Sequence, residues 1–408
     1  MEPIGRRIRE FMSRVHTVKA DDLYFYLRPV EAVDGARVTI GGRSLLLGSS
    51  YSYLGLLGHP VIQQAAREAL ERYGTGTHGV RLLAGNTDLH DRLEVQIAAF
   101  TRADAAVVYS SGYLANVAAI SALVGRGDVV ICDKLNHASI VDGCLLSGAK
   151  FVRVPHSDTT ALDRALSEVP AETGKLVIVD GVFSMDGDVI DLPRVVETCA
   201  RWRAWLMVDE SHSIGVLGSG GRGVEAHFGL PGAIHVKMSS LSKSIPSAGG
   251  YIAGREDLIT FLKHVSRAFV FSAALPPASA AAALASLDLI DQEPERIRRV
   301  QGHARRLRRH LAEAGIPVRE DPTPIIPVIT GEDTLALQMS RALFDRGVFV
   351  PPIVSPAVPP KTSRLRVTVT AAHSDGDVAM IGEAVADAWR EVMPVAAAAQ
   401  PVPGGPRA

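Results

Sequence analysis

Apolar residues fall along this chain in two alternating textures. Short runs rich in Val, Ile and Leu recur at AAVVYS (105–110), DVVICD (128–133), KFVRVP (150–155), KLVIVDGVF (175–183), WLMVDE (205–210) and HVKMSS (235–240). Several lack in/out alternation, the pattern of strands covered on both faces. Between them lie helix-periodic stretches such as PVIQQAAREALERYG (60–74), where Pro60 suits a first helical turn. Its Val61, Ala65, Ala69 and Ile62, Ala66, Leu70 form one apolar face. Strands alternating with helices predict an α/β fold with a mainly parallel sheet.

After about residue 290 the texture changes. EPERIRRVQGHARRLRRHLAEAG (293–315) sets Val300, Ala304, Leu307 and Leu311 on one stripe among arginines, which predicts a long amphipathic helix with a solvated basic face. Strand-like PIIPVIT (324–330), RGVFVPPIV (346–354) and RLRVTVTAA (364–372) then predict a smaller C-terminal α+β lobe. The partition is residues 1–50 as an N-terminal segment, 51–290 as a large α/β domain, 291–393 as a small domain and 394–408 as a disordered tail.

Bulk composition narrows the classes without choosing among enzymes. With 408 residues, 47% hydrophobic and 21% charged, the chain can bury a large core. A formal charge of −1 gives no overall pull toward nucleic acid or an anionic membrane. Cys132, Cys144 and Cys199 are too few for a disulfide framework and suit a reducing, cytoplasmic setting. The opening MEPIGRRIREFMSRVH mixes arginines with apolar residues, so neither a signal peptide nor an integral membrane segment is expected.

In open α/β sheets ligands sit beyond the carboxyl ends of strands, so the polar residues after each apolar run are the candidates. SSGYLAN follows AAVVY and supplies Ser111, Gly112 and Tyr113 at a strand-to-helix turn, an anion cradle or an ordinary capped turn. KLNHASI follows DVVICD with His137, a structural histidine or a flat ring for stacking. GVFSMDGD supplies Ser184 with Asp186 and Asp188, the aspartates reading as turn formers. DESHSIG supplies Asp209 and His212, and no metal-ligand spacing accompanies them or Glu210. SLSKSIPSAGGYIAG (240–254) sets Lys243 among serines ahead of two glycines, as in a tight loop where backbone approaches a ligand. Together these suit a pyridoxal 5′-phosphate site: a turn for phosphate, a ring to stack, an aspartate for the pyridinium nitrogen and a lysine for the aldehyde.

From SYLGL (52–56), GTGTHGVRLLAGNTDLHDRLE (74–94), SSGYLAN (110–116), DKLNHASIVDG (133–143), GVFSMDGD (181–188), VDESHSIGVLGSGGRG (208–223), SLSKSIPSAGGYIAG, FSAALPP (271–277) and RLRVTVTAAH (364–373), the chain resembles the α-oxoamine synthases over residues 40–392. These are fold-type I pyridoxal phosphate enzymes with the aspartate aminotransferase-like architecture. The resemblance implies that Lys243 forms the Schiff base, His137 stacks on the ring and Asp209 holds the pyridine nitrogen. It also implies that His212 and Ser184 touch the phenolic oxygen, and that Ser111, Gly112, Tyr113 and Ser240 bind phosphate with Ser272 of a second subunit, in a homodimer with shared active sites. Arg366 would hold the amino-acid carboxylate, with Tyr51, Ser52 and Val80 near the substrate.

The chain departs from the pattern at four places. Ser52 replaces a usual asparagine, Val80 a serine or threonine of several members, and Pro246 a common glycine, while His78 is unusual in its loop. Val80 adds bulk without a hydroxyl, which suggests glycine, alanine or serine as the amino acid. The implied reaction is a Claisen condensation of that amino acid with an acyl-CoA or acyl-carrier-protein thioester, usually decarboxylative, giving an α-amino ketone. The competing readings are another fold-type I reaction, aminotransferase or lyase, and a non-catalytic partner subunit.

Overall fold

The computed structural model describes residues 3–393; the expected tail at 394–408 lies outside the described residues. Two compact units emerge, one of residues 51–301 with 321–323, the other of residues 3–50, 302–320 and 324–393. The division falls inside the helix Glu295–Glu313.

The larger unit is built on a seven-stranded sheet in the order 105–109, 246–254, 236–242, 205–209, 175–180, 129–133, 150–154. Pairings from 236–242 through to 150–154 are parallel, while Pro246–Gly254 runs antiparallel to both of its neighbours. The apolar runs behave as their lack of alternation predicts: Val129–Asp133 and Lys175–Asp180 are buried at every position. A strand with side chains covered on both faces has no solvent face on which to place polar residues. Tyr109, Ala118, Ile120, Val130, Ile140 and Met207 belong to one continuous core between sheet and helices. Each such fully buried side chain contributes about 1.5–3 kcal/mol for the larger aliphatics.

Pro60–Tyr73 is a helix with Pro60 in its first turn. Its buried stripe is narrower than the sequence suggests, because Ile62 and Ala69 are buried while Val61 and Leu70 are exposed. The run HVKMSS extends through Ser242 to the residue before Lys243, and the chain then reverses into Pro246–Gly254. The glycines of that hairpin answer to another backbone: a Cβ on Gly250 would lie 2.5 Å from Gly112 Cα. Only glycine tolerates that approach.

In the smaller unit, Ala32–Asp34, Arg37–Ile40 and Arg43–Leu47 form an antiparallel ribbon that Val348–Phe349 extends in parallel. The run RGVFVPPIV, expected as one strand, is split. Val348–Phe349 joins that ribbon, whereas Pro352–Ile353 joins a second antiparallel sheet beside Ser363–Thr368 and Ile325–Gly331. Two consecutive prolines without N–H donors prevent an uninterrupted ladder. Ala304, Leu307 and Leu311 of the amphipathic helix pack with Ile326, Leu343 and Val367 in this unit's core. The amino-terminal helix Pro3–Ala20 buries none of its residues.

Candidate active site

The sheet brings its polar strand ends to one side. Tyr109, Asp133, Asp180, Asp209 and Ser242 close their strands, and the segments after them line a cavity of about 240 Å³. Ser111, Gly112, Tyr113, His137 and Ser184 face it from three connections. Asp209, His212, Ser240 and Lys243 complete the set. Nine residues read separately from the sequence therefore share one cavity.

One wall is the start of the helix Gly112–Leu123. Ser111 caps it, accepting from Leu114 N at 3.1 Å, and the first-turn N–H groups present a site for an anion. Gly112 is required by close approach, since a Cβ there would lie 2.9 Å from Ser240 Cβ. Ser240 Oγ is 2.6 Å from Ser242 Oγ, and its backbone N–H donates to Ser211 Oγ at 2.9 Å, so three serines brace this wall. We expect Gly112→Ala to weaken cofactor binding about tenfold, measured by titrating cofactor-free protein, because the wall must part by several tenths of an ångström.

Asp209 lines the same cavity, buried and held by two donors: Asn116 Nδ2 at 2.8 Å on Oδ2 and Ser211 N at 3.0 Å on Oδ1. The same Asn116 nitrogen donates to Ser139 Oγ at 2.9 Å, and Ser139 Oγ is 2.7 Å from His137 Nδ1. One amide thus fixes both the carboxylate and the imidazole. Burial depresses the His137 pKa, with the Asp209 charge opposing and the Lys243 charge reinforcing the shift, so the ring is neutral at neutral pH. The Tyr113 ring stands edge-on to it at 6.4 Å, its hydroxyl hydrogen-bonded to Asp142. Asn116→Ala should lower unfolding free energy by about 1–3 kcal/mol, read by chemical denaturation, because it strips a donor from a buried carboxylate.

A second carboxyl stands beside the first. Asp180 is in register with Asp209 on the neighbouring strand and lines the same cavity. Burial, then the charge of Asp209, raises its pKa well above the usual carboxylate range. His212, also lining the cavity, has its Nδ1 2.7 Å from the Tyr53 hydroxyl, and the Tyr51 ring stands edge-on to it at 5.9 Å. Glu210 turns away from the cavity residues toward Ser213 and Val224 N, and burial lifts its pKa to about 7.

Other expected residues sit elsewhere. Val80 pairs with Ala273, placing Ser272 beside the 74–94 segment in the same chain. Ser52 Oγ accepts from Leu57 N at 3.4 Å. Arg366 is buried on the strand Ser363–Thr368 of the smaller unit, opposite Pro327.

Asn116, Ser139, Asp180 and Tyr53 belong to the site although none stood among the candidates. Asn116 and Tyr53 lie within the segments SSGYLAN and SYLGL that were singled out. Asp180 obeys the strand-end rule directly, as the last residue of KLVIVD.

Residues 45–385 match the family model described as aminotransferase class I and II. The chain is 43% identical over 367 residues to an 8-amino-7-oxononanoate synthase from Thermoanaerobacter pseudethanolicus, covering 90% of this chain and 93% of that one. It is 38% identical over 371 residues to a serine palmitoyltransferase from Sphingobacterium spiritivorum, covering 91% and 93%. A serine palmitoyltransferase from S. paucimobilis, solved with a bound PLP–myriocin aldimine, superposes with a TM-score of 0.93 at 31% identity, covering 96% and 99%. Its fold is that of the fold-type I transferases, and the large, mainly parallel sheet and smaller α+β unit agree with it. With family model, relatives and fold in accord, the chain belongs to the class I and II aminotransferase family and, within it, to the α-oxoamine synthases.

Proposed function

We propose that this protein is a pyridoxal 5′-phosphate-dependent acyltransferase that condenses a small amino acid with an acyl thioester, with loss of carbon dioxide. The observation that carries the reading is Lys243 lining one cavity with Asp209, His137 and the capped turn at Ser111. These residues fit the cofactor: a helix start for the phosphate, a neutral flat ring, a buried carboxylate and an amine. Membership among the α-oxoamine synthases supports the same reaction.

When bound, the cofactor supplies an aldehyde for the lysine and a ring that accepts negative charge from the substrate α-carbon. The chain's own residues do the rest. The Ser111–Tyr113 turn and Ser240 would hold the phosphate, with Ser272 from the second subunit of a homodimer. Asp209 would accept the hydrogen bond of the ring nitrogen and so favour its protonated form. His137 would cover the ring and exclude water, while His212 and Ser184 would be its partners at the ring oxygen. Lys243 Nζ takes the proton from the amino-acid α-carbon, leaving that carbon to attack the thioester carbonyl. The C–S bond breaks and the thiol departs with a proton; carbon dioxide then leaves the α-carbon, which takes a proton from Lys243 or water to give the α-amino ketone. Arg366 holds the amino-acid carboxylate through its planar fork, and Tyr51, Ser52 and Val80 bound the substrate pocket. Val80 restricts the amino acid to glycine, alanine or serine.

The acyl donor is a thioester of coenzyme A or of an acyl-carrier protein. Among the described residues no helix is long and apolar enough to cross a membrane. Three buried, unpaired cysteines support a cytoplasmic setting.

A matrix of amino acids against acyl thioesters, followed by thiol release and product mass, tests the reading. Thiol release with an α-amino ketone is expected for one small amino acid. An α-keto acid without free thiol would instead identify an aminotransferase, and absence of any lysine-linked cofactor absorbance would leave a non-catalytic subunit.

A further inference from the structure

Outside the cavity, one buried cluster of charged groups grips the turn that carries Ser184. His156 follows the strand Lys150–Val154, and its Nδ1 lies 3.0 Å from Asp133 Oδ2. Its Nε2 lies 2.9 Å from Asp188 Oδ2, so one imidazole bridges two carboxylates from different connections. Both carboxylates are nearly fully buried. Asp133 has further support, accepting from Ser157 N at 2.7 Å and Leu135 N at 2.8 Å. Asp188 does not: its Oδ1 is buried without a hydrogen-bond partner, and the partner of its Oδ2 is His156.

That dependence matters because of where Asp188 stands. Residues 181–190 fold back on themselves through the Val182–Val189 bridge, Phe183 N to Asp188 O at 3.0 Å and Ile190 N to Gly181 O at 3.1 Å. Ser184 sits at the tip of this turn and faces the cavity. The Phe183 ring meets His156 edge-on at 4.4 Å, and Thr323 Oγ1 donates to Gly187 O at 2.7 Å. The outer leg is therefore anchored by an imidazole and a hydroxyl, and the serine projects from the held turn.

We propose that His156 is a positioning residue for the reaction: bridging Asp133 and Asp188, it holds the 181–190 turn so that Ser184 stays aimed into the cofactor cavity. A buried carboxylate with one partner either protonates or leaves when that partner is lost. In either case the turn loses its anchor beside Ser184. The charged groups facing the imidazole are those two carboxylates. Burial alone would lower the His156 pKa, but the hydrogen bonds to Asp133 and Asp188 lift it from 6.5 to about 10. The pKa is higher in the folded state, so the clasp's stabilisation is full below about 6.5 and is lost as pH rises through about 10.

The test compares wild type with His156→Gln, Asp188→Ala and His156→Gln/Asp188→Asn. Amide hydrogen exchange of residues 181–190 is measured in cofactor-free protein, a readout independent of any assignment of the cavity. In His156→Gln and in Asp188→Ala, exchange there should rise about tenfold while the strand Trp205–Asp209 keeps its protection. The double variant, which pairs two neutral amides, should return it toward wild type. Wild type should lose thermal stability as pH passes about 10, and His156→Gln should lack that component.

In cofactor-loaded protein, the pH midpoint of the visible absorbance should shift in His156→Gln and recover in the double variant. This last readout rests on the proposed function: absence of the absorbance in wild type would count against the cofactor reading while sparing the clasp, whereas a present absorbance with an unshifted midpoint would overturn the positioning of Ser184. Unchanged exchange at 181–190 in both single variants, or an equal rise throughout the larger unit, would overturn the proposal.

Discussion

Lys243→Ala should lower turnover roughly 1,000-fold or more, because on the proposed function one substitution removes both the amine that links the cofactor and the base that takes the α-proton. The fold should survive. Lys243 sits in a reversal between Val236–Ser242 and Pro246–Gly254, where alanine leaves the strand pairing untouched. Its charge acts on His137 and Asp180, so its loss should leave Asp180 holding its proton more firmly. The variant should still bind cofactor through the Ser111 turn but without the visible absorbance of a lysine-linked aldehyde. A small added amine should restore part of the proton transfer. Wild-type turnover in this variant would remove Lys243 from the role proposed for it.

Asp209→Asn separates charge from shape and should cost roughly 100- to 1,000-fold in turnover, the scale of removing one electrostatic partner of a reacting group. The substituted amide can still accept from Ser211 N. Its new N–H₂ would confront the Asn116 donor, but Asn116 Oδ1 is buried without a hydrogen-bond partner and can accept once that side chain turns over. Ser139 can then reverse its role, since a hydroxyl both donates and accepts. The neighbouring Asp180 would no longer face a charged carboxylate, so the folded state gains where it loses an ion. Thermal stability without cofactor should therefore hold or rise while turnover falls. A parallel loss of both would show that Asp209 is structural.

His137 and His156 show how similar residues were unequally legible. His137 follows a strand end directly, and local position was enough to select it. His156 also follows a strand, yet its meaning lies in Asp133 and Asp188, which are 23 and 32 residues away. The same holds for Asp188, which reads as a turn former until its buried oxygen is found to face an imidazole. Arg366 gained its expected role through family resemblance, since a lone arginine on a strand carries no such information.

By itself the sequence determined six of the seven strands of the larger sheet, the helix starting at Pro60, and the short polar segments that close around the cavity, while Pro246–Gly254, read as part of a tight loop, is a strand. These follow from period, propensity and strand-end position, which are properties of neighbours along the chain. Tertiary structure alone decided that 246–254 would lie between 105–109 and 236–242, that Asp180 would stand in register with Asp209, and that Asn116 would hold Asp209 and Ser139 together. Local periodicity says which face of a strand is buried but not which strand lies beside it. Pairing across the sheet is chosen by the packing of all the elements at once, and the ionisation of the buried carboxyls follows from that choice.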